Sequence, residues 1–278
     1  LSIVFGSFES DYYKRYADRL GIDYDNIVFW PTYWINWTEM CLVTNYDYKN
    51  QVIDTNFKYP FICLNNKNHA HRAALIDHLA KYNLIDKGVV TWHKFSSAVH
   101  GYDFKYYDDS IRTIDDDFVN KFDSFLIPKE WYESFLHVVG EATHYNHFIT
   151  EKTIIPILMK KPFVCISQKG WYKRFTELGF VLYDEIIDYS FDEIDDLATR
   201  ADKLAESVSK IGTNYSELYE ILPPKIEYNY NRCQEIIHDI KYVPTLVRDH
   251  VDNVLAKTIT PKSTDFRYEI ICKRYCND

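Results

Sequence analysis

The sequence predicts an α/β protein whose parallel strands are covered by helices on both faces. Three observations carry this. Continuous apolar runs such as Tyr59 to Leu64 and Phe163 to Ile166 lack the alternation of a half-exposed strand, as expected when both faces of a sheet are buried. Stretches of helical spacing follow them, His71 to Tyr82 after the first and Trp171 to Leu178 after the second. The two kinds of segment alternate along the chain, which is the pattern of strand–helix–strand units.

Taken in order, Leu1 to Phe5 is a short apolar strand closed by Gly6-Ser7, and Asp11 to Leu20 is a helix stopped by Gly21. Asn26 to Trp30 is a second strand, closed by Pro31. Trp30, Trp34 and Trp37 cluster in the following loop and are read as core or interface packing. Tyr59 to Leu64 leads into a polar loop, Asn65 to Asn68, and an amphipathic helix from His71 with Ala74, Leu75, Leu79 and Tyr82 on one face. Val89 to Trp92 is the next strand. The acidic, aromatic stretch Tyr102 to Asp123 has weak periodicity and is expected to cover the site or bridge units. Phe135 to Val139 is a strand, Thr153 to Met159 a helix, Phe163 to Ile166 a strand and Trp171 to Leu178 a helix. Phe180 to Tyr183 reads as a short strand. Ser190 to Ile211 is helix-rich, with Leu197, Leu204 and Val208 as its apolar stripe. Tyr230 to Tyr242 is a helix, and another is expected after Pro244.

With 278 residues and 46% apolar content, a substantial core is within reach. The net charge of −9 argues against a nucleic-acid-binding surface, which needs clustered cations. Six scattered cysteines without a CxxC pair argue against a zinc site and suit a reducing compartment, so the cytoplasm is the expected location. No apolar run is long enough to span a membrane, and no signal peptide is visible. The sequons at Asn36 and Asn214 are read as chance. The 24 tyrosines suit carbohydrate stacking, although codon bias produces the same composition.

The chemistry concentrates between Glu141 and Asp188. Glu141 follows an apolar strand, and Thr150-Glu151-Lys152 sits where a helix begins. A helix start offers free N–H groups and positive partial charge, so with Lys152 alongside it suits phosphate. Glu151 suits sugar or ribose hydroxyls. Upstream, the tip Lys67-Asn68-His69-Ala70-His71-Arg72 is basic. Taken alone, Thr150-Glu151-Lys152 is an ordinary N-cap with first-turn charges. Arg72 and Glu141, in the correct element order, shift the reading toward a ligand site. His69, His71, His144 and His147 are read as loop histidines near phosphate rather than metal ligands, because His69 and His71 are poorly spaced for a shared helix face.

The run Phe148-Ile149-Thr150-Glu151-Lys152-Thr153 resembles the donor-binding motif of glycosyltransferases with two Rossmann-like domains, the GT-B fold. The likeness is to the α1,3-fucosyltransferase-like group, where Phe148 stands in place of the tyrosine that often opens the motif. It also extends to glycosyltransferase-like proteins of phages and large DNA viruses that carry Thr-Glu-Lys-Thr. The resemblance implies a reduced acceptor-side domain over 1–58, a donor-binding domain over 59–242 and a helical tail over 243–278 that returns to the first domain. It implies that Arg72 contacts a diphosphate and that Asn65, His71, Glu141, Thr150, Glu151 and Lys152 line the donor site. The reaction expected is metal-independent, inverting transfer of a sugar from a GDP- or UDP-sugar to a hydroxyl of a glycan or glycoprotein. Glu9 and Asp11 are the candidate catalytic bases. A transferase that modifies nucleic-acid bases is a third alternative, with the acidic net charge against it, and two rival readings stand ahead of it. Asp115-Asp116-Asp117 contains the Asp-x-Asp pattern by which metal-dependent (GT-A) transferases hold Mn²⁺ through Asp115 and Asp117. Alternatively, the chain is a non-catalytic carbohydrate-binding protein using its tryptophans.

Overall fold

The structure is a computed structural model, and it describes residues 2–5, 11–24, 27–30, 55–65, 67, 69–92, 101–107 and 129–240. The chain is α/β. It opens with β1 (Ser2–Phe5), α1 (Asp11–Leu20) and β2 (Ile27–Trp30), a parallel pair joined by a helix and running in register from Ser2 opposite Ile27 to Phe5 opposite Trp30. The larger unit is a four-stranded parallel sheet: β3 (Tyr59–Asn65), β4 (Val89–Trp92), β5 (Ser134–Gly140) and β6 (Phe163–Ile166), in the order β4-β3-β5-β6.

Helix α2 (Ala70–Lys81) connects β3 to β4. The short α3 (Lys129–Tyr132) leads into β5, and α4 (Glu151–Leu158) connects β5 to β6. The two crossovers step away from each other along the sheet. Right-handed connection of parallel strands therefore puts α2 and α4 on opposite faces. Helix α5 (Trp171–Glu177), a 3₁₀ turn (Tyr189–Glu193), α6 (Leu197–Ser209), α7 (Tyr215–Glu220) and α8 (Pro223–Ile240) complete the described chain. Helix α6 packs on α2, and α8 packs on α4. Among the described residues the expected segment boundaries hold to within a few residues, except that α8 begins at Pro223 rather than Tyr230 and that the strand expected over Phe180 to Tyr183 is absent; the helix expected after Pro244 lies outside them.

Two expectations change. Helix α2 is not amphipathic: every residue from Ala70 to Leu79 is buried, including His71, Arg72, Asp77 and His78. The sheet covers one side and α6 the other, and a hydrogen bond from His78 and an ion pair from Lys81 to Asp202 of α6 tie the two helices. Asp77 of the same helix holds residues 102–107, the described part of the stretch from Tyr102 to Asp123: it accepts from the Tyr102 hydroxyl at 2.7 Å and from the backbone N–H groups of Lys105, Tyr106 and Tyr107.

Finally, Phe180 to Tyr183 is not a strand. The Asn229 side chain of α8 takes both backbone groups of Val181, accepting from its N–H and donating to its carbonyl, each at 2.9 Å. A side-chain amide thus replaces a neighbouring strand. The β6 edge is closed in the same manner, since the Tyr172 hydroxyl accepts from the Cys165 N–H. Aromatic packing covers it: Phe163 meets Phe175 and Tyr183 edge-on, and Phe175 stacks between Trp171 and Phe180. Burying each such ring contributes on the order of 2–3 kcal/mol. Gly179, at φ 90°, makes the turn into this segment, a conformation glycine adopts without steric cost.

Candidate functional site

Strands β3 and β5 are neighbours, yet the chain leaves β3 toward one side and β5 toward the other. Their carboxyl ends therefore part at a topological switch point, where open α/β sheets form ligand crevices. Asn65 ends β3, Glu141 follows β5, and the first turns of α2 and α4 lie beyond them. The fold brings Asn65, His71, Arg72, Glu141, Thr150, Glu151 and Lys152 together around this point.

Glu141 is fully buried and saturated. Its Oε1 accepts from the Thr150 N–H at 2.9 Å and the Thr153 hydroxyl at 2.7 Å. Its Oε2 accepts from the Ala142 N–H at 2.8 Å and the Thr150 hydroxyl at 2.7 Å. Thr150 is the N-cap of α4 and accepts from the Lys152 N–H. The protein's own carboxylate thus occupies the place an anion would take at this helix start, where the positive end of the dipole favours it. Lys152 pairs with its neighbour Glu151 at the partly exposed surface.

The backbone carbonyl of Glu141 is a second hub. Arg72 donates to it from Nε at 3.2 Å and from Nη2 at 2.9 Å, and His71 reaches it through Nε2 at 2.6 Å. Two residues of the first turn of α2 are thereby tied to the end of β5. Gly140 makes the crossing possible, because a Cβ there would lie 2.7 Å from Arg72 Cγ and 3.0 Å from Asn65 Oδ1. Asn65 donates to Cys63 Sγ, while its Oδ1 is buried without a partner.

The start of α2 contrasts with that of α4. His69 is its N-cap in extended conformation, makes no side-chain cap bond, and no acid lies in the first turn. Ala70, His71 and Arg72 are buried. A buried helix start normally has side chains or a ligand on its N–H groups. The surroundings are cationic. Burial lowers the His69 pKa below its ordinary value, and Arg72, Lys67, His144 and Lys152 lower it further. Burial likewise holds His71 well below the usual histidine range. His144 is lowered by burial and then by Arg200. Arg200 is buried on α6, donates to the Ile194 carbonyl at 2.9 Å and leaves its Nε buried without a partner.

The loop from Glu141 to Thr150 is braced along its length. Ser167 donates to the Thr143 carbonyl, Thr143 donates to Asn146, Asn146 reaches the Tyr13 hydroxyl of α1 at 3.3 Å, and the Trp171 indole donates to the Phe148 carbonyl.

Of the sequence-derived candidates, Glu9, Asp115 and Asp117 lie outside the described residues, as do Trp34, Trp37 and the tail over 243–278. Asp11 opens α1, and its side chain is likewise outside them. Among the described residues no group of three or more His, Cys, Asp or Glu side chains is arranged to hold a metal ion, and no helix is long and apolar enough to cross a membrane. Sequence reasoning missed Arg200, which acts on His144 from α6, the helix packed on α2, and the role of Gly140, for which a glycine directly before the expected site acid was the available signal. Comparison with protein-family models, with curated proteins and with solved structures finds no match to this chain.

Proposed function

We propose that the chain is a glycosyltransferase of GT-B type, with a donor-binding half over 59–242 that takes a nucleotide diphosphate-sugar and passes the sugar to a hydroxyl acceptor. One observation carries the reading: an uncapped, acid-free helix start, α2, with Lys67, Arg72 and Lys152 acting on its N-cap His69 and Arg200 acting on the neighbouring His144, at the switch point of a parallel sheet. Helix N–H groups and fixed cations stabilise a diphosphate as its bond to the sugar breaks, without a metal ion. In this reading the phosphate seat is α2. Glu141 and Thr150 are the brace that holds α4 and Arg72 in place, and Glu151 and Lys152 form its accessible rim, within reach of ribose or sugar hydroxyls and phosphate.

The test is a thermal-shift screen with UDP, GDP, CMP and dTDP and the corresponding sugar nucleotides, with Mn²⁺ or with EDTA. A ligand that binds only the folded chain raises stability by RT ln(1 + [L]/Kd), about 2.7 kcal/mol at one hundred times Kd. The expected outcome is a rise with one nucleoside diphosphate, unchanged by EDTA and reduced in Lys67→Ala and Lys152→Ala. Those two side chains are exposed or partly exposed, so their removal leaves the fold intact. A rise that requires Mn²⁺, or no rise with any nucleotide, overturns the proposal.

A further inference from the structure

His71 and His144 form a chain of two imidazoles ending on a carbonyl, and this fixes where their protons are. The Glu141 carbonyl can only accept, so His71 Nε2, 2.6 Å away, carries hydrogen. His71 is fully buried with no acid bonded to it, and burial keeps it neutral. Its Nδ1 is therefore a bare lone pair. That lone pair faces His144 Nδ1 at 3.2 Å, so the hydrogen between them belongs to His144. A neutral His144 with hydrogen on Nδ1 has its lone pair on Nε2. The ring is only half-buried, and Nε2 has no hydrogen bond to the described residues. Its neighbours are His71 of α2, His69 at the N-cap of that helix, Arg200 of α6 and Tyr145 on its own loop.

Resting on the transferase reading, we infer that His144 Nε2 is the proton acceptor of this site, its tautomer set by His71 and the Glu141 carbonyl. The orienting chain does for His144 what a carboxylate does for the imidazole of a hydrolase triad: it fixes tautomer and ring plane. In the step assigned to it, the acceptor O–H bond breaks and its proton forms the Nε2–H bond. The oxygen lone pair forms the new bond to the anomeric carbon. The bond from that carbon to the diphosphate oxygen breaks, and its electron pair leaves with the diphosphate. The imidazolium then returns its proton to water. Burial, and after it Arg200, keep His144 neutral and receptive at neutral pH. Because this cation also opposes the imidazolium, the acceptor acts over a limited pH range, rising as His144 loses its proton below its ordinary value of 6.5.

Two measurements test this, and they fail separately. The first needs no substrate: long-range ¹H–¹⁵N spectra of histidine-labelled protein between pH 5 and 8, assigned with His144→Gln. The expected result is His144 with hydrogen on Nδ1, titrating below 6.5, and His71 with hydrogen on Nε2 throughout. Hydrogen on His144 Nε2 at neutral pH, or a titration above 6.5, overturns the inference whatever the protein's activity. Line broadening of both rings by one equivalent of Co²⁺ also overturns it, by making the pair metal ligands. The second is turnover of UDP-glucose and GDP-fucose, with water or an added glycan as acceptor. His144→Gln is expected to lower turnover by about 100-fold or more and to abolish the acidic limb of the pH profile, with the nucleoside-diphosphate thermal shift unchanged. Retained turnover, or a retained limb, overturns the inference while leaving the donor site standing. A wild-type protein with no thermal shift sinks the transferase reading instead, and the spectra alone then decide the tautomer claim.

Discussion

Replacing Glu141 with glutamine tests the geometry of the brace with a change of one atom. The carboxylate has two donors on each oxygen, and on each oxygen one donor is a backbone N–H and the other a threonine hydroxyl. A hydroxyl can rotate and accept from the new amide nitrogen, whereas a backbone N–H cannot. Whichever way the amide is flipped, one N–H is left pointing at a donor: Ala142 in one orientation, Thr150 in the other. A buried N–H without a partner costs about 1–3 kcal/mol, and the other three bonds lose the strengthening that an ionised acceptor gives, a further few tenths to 1 kcal/mol each. An amide is cheaper than a carboxylate to keep out of water, which offsets part of this. The net expectation for Glu141→Gln is a loss of about 2–4 kcal/mol, a large share of an ordinary domain's stability. Urea unfolding followed by circular dichroism reads it as a lower midpoint at unchanged slope. Hydrogen exchange adds a local signature, with faster exchange at Ala142 or Thr150. A stability loss under about 0.5 kcal/mol refutes the assignment of four donors to this carboxylate.

Two further outcomes follow. Gly140→Ala adds a Cβ 2.7 Å from Arg72 Cγ, so it is expected to cost about 1–3 kcal/mol by overpacking and to weaken nucleotide binding; the cost shrinks when Arg72 is shortened to alanine in the same chain, which a double-mutant cycle reads. Stability is expected to fall below pH 6.5. His71 and His137 are buried and held well below their ordinary pKa, so in acid the unfolded chain binds protons that the folded chain refuses. Their contribution is complete above 6.5 and is lost as pH drops, by up to about 1.4 kcal/mol per pH unit for each. Urea midpoints from pH 7 to 5.5 should decline and His137→Leu should flatten the decline; a level midpoint refutes it.

The elements were legible because their signals are local. Tyr59 to Leu64 and Phe163 to Ile166 are apolar without alternation, and both are buried strands. Gly21 follows α1 directly, as its stop signal suggested. Phe180 to Tyr183 has the same composition as those strands and still is not one, because the partner of its backbone is Asn229, about fifty residues further on. The same division runs through the site. Thr150-Glu151-Lys152 could be read as a helix start because capping is decided within three residues. That Glu141 fills that start depends on a contact across nine residues, and that Arg72 and His71 meet the Glu141 carbonyl depends on contacts across about seventy. Those longer contacts reverse the roles of the two helices. Helix α4, which carries the recognisable motif, is already satisfied by the protein's own carboxylate, and α2, marked in sequence only by basic residues and histidines, is the start left without a cap. A motif names the residues that meet at a site; which of them remains available to a ligand is settled by the bonds the fold has already made.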